Sequence, residues 1–279
     1  MARELLIAAT RLRSLLTSNA HLIIDCRFDL KDTQAGFAAY LESHIPGAVY
    51  AHLDNDLSSH VTDSSGRHPL PDAEVFAAFL ARIGWVPGTS IVAYDDADGS
   101  IAARLWWLMK YFGHDCGVLL DGGFKAWCEA GFELESGPLE PRGSSAELLV
   151  ADKRLVLTTA EVVDGLARRE ILLVDARARE RFAGEIEPID TLAGHIPGAV
   201  NYPYTLNLGP GGTFKPVAEI YAGLQAIRGQ NQVHMCGSGV SACSNIFAVE
   251  LAGLEPAKLY VGSWSEWIRD PSRPIAVFN

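Results

Sequence analysis

The feature that most restricts this chain is that it is written twice. Leu5-Leu6-Ile7 reads as a short strand and Thr10 to Leu16 as a helix, after which the buried strand His21 to Ile24 delivers Asp25-Cys26-Arg27 to a loop. The same phrase returns at an offset of 150, without a gap, as Leu155-Val156-Leu157, Thr159 to Leu166, and Ile171 to Val174 delivering Asp175-Ala176-Arg177. His44-Ile45-Pro46-Gly47-Ala48 recurs as His195-Ile196-Pro197-Gly198-Ala199, and Gly122-Gly123-Phe124-Lys125-Ala126-Trp127 is echoed by Gly262-Ser263-Trp264-Ser265-Glu266-Trp267. Self-similarity of this kind marks a duplicated domain. The chain of 279 residues suits two domains of about 130 to 150 residues each.

Between the copies, Glu135 to Glu147 holds Gly137, Pro138, Pro141, Gly143, Ser144 and Ser145, a composition that neither helix nor strand favours. The expected boundaries are therefore residues 1–134 for the first domain, 135–153 for a linker and 154–279 for the second domain. Within each copy apolar strands alternate with amphipathic helices such as Ala73 to Ile83 and Val217 to Ile227. That alternation predicts an α/β fold, each domain a parallel sheet flanked by helices on both faces.

Composition removes several classes of function. At 48% hydrophobic and 20% charged the chain is that of an ordinary globular protein, without the signature of a disordered tail. A net charge of -11 with no Lys/Arg cluster argues against nucleic acid or an anionic membrane as partner, so any anionic substrate must be caught locally. Eight histidines include no HExxH, and no metal site is expected. The five cysteines form no CxxC pair and their odd number leaves a thiol free, which suits a reducing compartment and a cytoplasmic location. The N-terminal stretch carries Arg3, Arg11 and Arg13 but no unbroken apolar run, so no secretory signal is expected, and no stretch is long enough for a membrane span.

The stretch with chemistry in it is Val233-His234-Met235-Cys236-Gly237-Ser238-Gly239-Val240-Ser241-Ala242-Cys243, read as a strand, a loop opened by a cysteine and the start of a helix. Gly237 and Gly239 free the backbone to curl, so that successive N–H groups can point at whatever Cys236 carries. The helix that follows adds roughly half a positive charge at its N-terminus. The alternative is a buried strand cysteine followed by a tight turn. In the first copy Ile91-Val92-Ala93-Tyr94-Asp95 is the counterpart strand, so an aspartate stands where the second copy has its thiol. Only one half can do cysteine chemistry, at the carboxyl end of a parallel strand, where ligands of such sheets bind.

Taken together, the loop Cys236 to Cys243, the two HIPGA segments and Gly262 to Trp267 resemble the two-domain rhodanese family, and within it the 3-mercaptopyruvate sulfurtransferase branch. The resemblance implies two tandem rhodanese-like domains, the C-terminal one catalytic and the N-terminal one not. It implies a cysteine persulfide on Cys236, formed from a small-molecule sulfur donor, 3-mercaptopyruvate, and emptied by cyanide or an acceptor thiol such as a thioredoxin-like dithiol, with no cofactor. The backbone of Gly237, Ser238, Gly239, Val240 and Ser241 would hold the outer sulfur. Arg181 matches the arginine that holds the substrate anion, Ser238 the loop serine of this branch, and His68 in Gly66-Arg67-His68-Pro69 a first-half histidine that relays protons. His44 and His195 are assigned to turn structure and Cys243 to packing.

One position departs from that pattern: a Glu-Pro-Arg segment with a second substrate arginine reads here Glu187-Pro188-Ile189-Asp190. Beyond the amides, Arg181 is then the one positive charge expected beside the thiol. Thiosulfate-preferring relatives carry cationic residues where this chain has Gly237 and Ser238, so mercaptopyruvate is the expected donor. Thiosulfate:cyanide transfer and a non-enzymatic persulfide carrier are the alternatives. A phosphatase built on the same fold needs Cys-x5-Arg, and position 242 is alanine.

Overall fold

The computed structural model describes residues 4–16, 21–96, 98–139, 143–229 and 231–278; Arg3 and the linker residue Pro141 lie outside them. Among these residues the repeat becomes two five-stranded sheets, and every strand pairing in both is parallel. The first is built from β1 (Leu6–Ile7), β2 (His21–Asp25), β3 (Ala48–Tyr50), β4 (Ser90–Tyr94) and β5 (Gly117–Leu120), in the order β1-β5-β4-β2-β3. Helices α1 (Ala9–Leu15), α2 (Ala35–Glu42), α3 (Ala73–Arg82), α4 (Ala102–Tyr111) and α5 (Gly123–Glu129) connect these strands and follow the last. The second sheet uses β6 (Val156–Leu157), β7 (Leu172–Asp175), β8 (Val200–Asn201), β9 (Gln232–Met235) and β10 (Lys258–Tyr260), in the equivalent order β6-β10-β9-β7-β8. Its helices are α6 (Thr159–Ala167), α7 (Arg179–Ala183), α8 (Val217–Leu224), α9 (Ala242–Leu251) and α10 (Ser263–Trp267).

Local chemistry explains the boundaries. Thr158 and Glu161 form a reciprocal capping box that starts α6, satisfying N–H groups that the first turn leaves unpaired. The helix expected over Val217 to Ile227 is α-helical to Leu224 and finishes as a 3-10 turn, Gln225–Ile227. Among its described residues the stretch expected as a linker forms no α-helix, and its last residue, Lys153, opens a 3-10 turn, Lys153–Leu155. It lies along the first unit, with Gly137 N–H donating to Leu41 O (2.8 Å), Ser144 to Ala81 O (2.8 Å) and Asp152 to Tyr111 O (2.7 Å).

The compact units do not follow the chain strictly. One consists of Met1–Ser59, Pro71–Asp152 and Gly209–Phe214, the other of His60–Leu70, Lys153–Leu208 and Lys215–Asn279. The segment carrying His68 therefore belongs to the unit that carries Cys236.

Each unit rests on the same buried ion pair. Asp25 takes the backbone N–H of Arg27 (2.9 Å) and its guanidinium (2.7 Å), and Arg27 Nη2 also donates to Ser43 O (2.6 Å). Asp175 and Arg177 repeat this at 2.9 and 2.7 Å, with Gly194 O as the carbonyl partner at 2.7 Å. Each guanidinium lies over an aromatic ring, Phe124 at 4.1 Å and Trp264 at 4.7 Å. Removing either partner would leave a buried charge uncompensated.

The core strand β9 carries a titratable group just before the nucleophile. Burial pushes the His234 imidazole down to about 3, whereas an unfolded imidazole titrates at about 6.5. The folded state thus accepts only the neutral ring. Its contribution to stability is complete above the unfolded value and is lost as the pH falls from there towards the folded value, by up to about 1.4 kcal/mol per pH unit. His234→Leu should lose less of its urea midpoint than the parent chain between about pH 6.5 and about pH 4; equal losses would show that His234 does not set this acid sensitivity.

Candidate active site

Strand order locates the place where chemistry can occur. Connections run outward in opposite directions from β7 and β9, so the crevice beyond their carboxyl ends is the topological switch point of the second sheet. Asp175 pairs with Met235, which puts Cys236 first in the loop beyond β9. In the first sheet Asp25 pairs with Tyr94, so Asp95 and Cys236 hold equivalent positions.

Cys236 is buried at 2% exposure, and the Gly239 N–H points at its sulfur at 3.2 Å. Gly239 has φ +78°, and a Cβ there would stand 2.7 Å from Val261 O, so the loop requires glycine. The segment after β10 braces the loop. Ser263 Oγ accepts from Cys236 N–H (3.1 Å) and donates to Tyr260 O (2.9 Å), while the N–H groups of Trp264 and Ser265 donate to the carbonyls of Cys236 and Gly237 (3.1 and 2.9 Å). That is the local reason for the Gly262-Ser263-Trp264-Ser265 sequence. Val240 and Ser241 complete the turn into α9, where the N–H of Cys243 donates to Val240 O (3.0 Å) and that of Ser244 to Ser241 O (3.1 Å). Cys243 is buried, its thiol directed at Gly239 O (3.4 Å).

Two further expected residues meet on this loop. Ser238 Oγ lies 2.7 Å from His68 Nδ1, and both side chains are buried. The segment carrying His68 is held by Arg67 N–H donating to Ser265 Oγ (3.0 Å) and by Arg269 donating to Asp63 O (3.3 Å). His44 and His195 turn their Nδ1 atoms to backbone carbonyls, Tyr40 O at 2.7 Å and Phe182 O at 2.8 Å.

Arg181 also reaches the loop, in company that was not expected. A Cβ added at Gly237 would lie 3.6 Å from both Arg181 Nη atoms and 3.1 Å from Nη2 of Arg67. The expectation of a single cation beside the thiol is therefore corrected, because Arg67, one residue before His68, brings a second guanidinium. Both arginines are tied to acids: Arg181 to Glu187 (2.7 Å) and Asp190 (3.0 Å), Arg67 to the other oxygen of Asp190 (2.6 Å). Burial alone would raise the Glu187 carboxyl, but hydrogen bonds from Arg181 and the amides of Asp190 and Ile189, with the Arg181 charge, hold it below the usual range.

The first unit shows what such a loop holds when an anion fills it. The Asp95 carboxylate takes the N–H of Gly99 on one oxygen and those of Ile101 and Ala102 on the other, each at 2.8 Å. Counting back from the first helical residues, Ala102 and Ala242, Gly99 corresponds to Gly239, and both have positive φ, +76° and +78°, the first loop being one residue longer between its glycine and the strand end.

The comparisons with known proteins agree with this architecture. The family model described as "Rhodanese-like domain" matches residues 8–130 and 158–270, and the chain belongs to that family. It is 44% identical to a Pseudomonas aeruginosa protein named "Probable 3-mercaptopyruvate sulfurtransferase", over 99% of both chains. Rat thiosulfate sulfurtransferase is 31% identical over 88% of this chain and 84% of its own. The solved structure of 3-mercaptopyruvate sulfurtransferase from Leishmania major superimposes with a TM-score of 0.83 at 32% identity, covering 95% of this chain and 74% of that one.

Gly239→Ala tests the loop. A side chain at positive φ, pressed against Val261 O, should cost about 1 to 3 kcal/mol of stability and turn the amide away from the sulfur. The checks are denaturant unfolding and the rate at which Cys236 reacts with a neutral alkylating agent; an unchanged protein by both would mean the turn tolerates other geometries.

Proposed function

We propose that this chain is a sulfurtransferase that takes sulfur from 3-mercaptopyruvate, stores it as a persulfide on Cys236 and passes it to an acceptor thiol or to cyanide. The thiolate attacks the mercaptopyruvate sulfur and an S–S bond forms as the S–C bond breaks. The electron pair goes to carbon as the enolate of pyruvate, which then takes a proton. In the second half the acceptor attacks the outer sulfur and the bonding pair returns to Cys236. Catalysis belongs to the second repeat, from residue 154, and the first repeat is non-catalytic because its loop is closed by its own carboxylate.

Asp95 supports the assignment of the amides. A carboxylate oxygen stands two bonds beyond Cβ, as does the outer sulfur of a cysteine persulfide. By the correspondence of the loops, the N–H groups of Gly239, Ser241 and Ala242 would receive that sulfur and its charge in the second unit. Arg181 would take the donor's carboxylate.

The observation that carries the choice of donor is the 2.7 Å contact between His68 and Ser238, the serine lying two residues after Cys236 in sequence. An enolate leaving group needs a proton, and a hydroxyl backed by an imidazole can deliver one. Sulfite, which would leave from thiosulfate, needs none. A thioredoxin-like dithiol suits the acceptor role because a thiolate can reach the outer sulfur and its neighbour can then resolve the mixed species. Five cysteines without a disulfide suit a reducing compartment such as the cytoplasm. Among the described residues no helix is long and apolar enough to cross a membrane.

Cys236→Ser should abolish both pyruvate release and the added sulfur seen by mass spectrometry, and Cys243→Ser should abolish neither; a wild-type chain that gains sulfur yet turns over no pyruvate would instead be a carrier. Ser238→Ala and His68→Ala should each lower kcat for 3-mercaptopyruvate by on the order of a hundredfold while changing thiosulfate turnover by less than about threefold. Equal losses with both donors would remove the proton relay from the mechanism.

A further inference from the structure

We propose that Ser265 is a positioning residue for the proton delivery that mercaptopyruvate turnover needs: it joins the nucleophile loop to the segment carrying His68 and so sets the approach of the His68 ring to Ser238. This rests on the reading of the chain as a sulfurtransferase with a His68–Ser238 relay, and it gives a part to a residue outside that relay.

Ser265 is bonded on both sides. Its N–H donates to the carbonyl of Gly237 (2.9 Å), which lies between Cys236 and Ser238, and its Oγ accepts from the N–H of Arg67 (3.0 Å), the residue before His68. The hydroxyl proton is aimed back at Gly262 O (3.3 Å), which leaves an Oγ lone pair for Arg67. Ser265 is buried, so solvent competes little for these bonds. The 2.7 Å contact between His68 and Ser238 therefore closes a ring of contacts whose far corner is Ser265.

The approach is close enough to depend on a missing side chain. A Cβ at Gly66 would stand 2.6 Å from Gly262 O and 3.1 Å from Ser265 Oγ, so glycine lets the segment settle on α10. Beyond His68, Pro69 and Pro71 have no N–H to offer. The ion pair of Arg67 with Asp190 (2.6 Å) runs through a long side chain and holds the guanidinium rather than the main chain beside His68. The first unit, which takes Gly209–Phe214 from the later half of the sequence, anchors that segment differently: Asp121, the residue after β5, accepts the N–H of Phe214 (2.8 Å). By the correspondence of Gly122-Gly123-Phe124-Lys125 with Gly262-Ser263-Trp264-Ser265, position 121 is matched by Val261, whose side chain has no acceptor. In the second unit a hydroxyl at 265, where the first has Lys125, supplies the acceptor instead.

The test compares Ser265→Ala and Gly66→Ala with the parent chain. Ser265→Ala keeps the N–H to Gly237 O and removes the bond to Arg67, so it should lower kcat for 3-mercaptopyruvate by about ten- to thirtyfold, with KM and the kcat/KM for thiosulfate each moved by less than about threefold. Gly66→Ala, which pushes the segment away from its own side, should show the same donor-selective loss. In a His68→Ala background, Ser265→Ala should cost less than about twofold more, because the group it positions is already gone. Equal losses with both donors, or the full additional loss in the His68→Ala background, would overturn the proposal. Independently of sulfur transfer, the ring nitrogens of His68 are read by NMR in protein carrying isotope-labelled histidine. Ser265→Ala should move the Nδ1 resonance in the same direction as Ser238→Ala; a resonance left in place would overturn the proposal. If the parent chain took sulfur from neither donor, the sulfurtransferase reading would fail while the His68 resonance still decided the part of Ser265.

Discussion

A parallel strand that ends against the N-terminus of a buried helix leaves several N–H groups pointing into a space closed to water, and something negative must meet them. Both halves of this chain are organised around that requirement. In the first, the Asp95 carboxylate fills the space permanently, accepting from Gly99, Ile101 and Ala102. In the second, a cysteine stands at the same register position, shorter by one atom than a carboxylate and able to gain that atom as sulfur. The two turns share a strand end, a positive-φ glycine and a helix start, and differ in the side chain that opens the loop and by one residue of loop length, the first being longer.

The frame must hold the loop still for this to work, and the buried Asp–Arg pair does much of that. Asp175 fixes Arg177, whose guanidinium ties down Gly194 O ahead of the His195-Ile196-Pro197-Gly198 turn and lies on Trp264, whose N–H in turn grips Cys236 O. Strand end, turn and nucleophile loop are thus coupled through one cation. The first unit repeats the arrangement with Asp25, Arg27, Ser43 O and Phe124. An open cleft of about 500 Å³, lined by Lys153, Arg168 and Lys258 among others, lies at the other end of the second sheet's strands.

Much of this was legible in the chain. The offset repeat, the strand-delivered Asp-x-Arg and the exchange of Asp95 for Cys236 are local patterns, readable because period and residue type determine them. The partners of Arg181 were not. Glu187 and Asp190 lie within ten residues of it, a spacing equally compatible with solvated charges, and only the path of the loop after α7 brings them onto one guanidinium. Arg67 was harder still, because it stands in the first half of the sequence while His60–Leu70 packs with the second unit. No periodicity in a segment rich in Gly, Pro and Ser could announce that association; only the residue beside it, His68, carried a recognisable pattern.

The acidity of the chain gives the bridged arginines beside Gly237 their logic. With a net charge of -11, long-range steering works against an anionic donor, so capture has to rely on short-range hydrogen bonds from groups already in place. Free arginines could do this, but they would attract any anion and would repel each other when the site is empty. Arginines bridged by a buried carboxylate avoid both: each cation is compensated where it stands, and the donors not spent on the bridge are held in place by it. The penalty is weaker attraction for highly charged ligands.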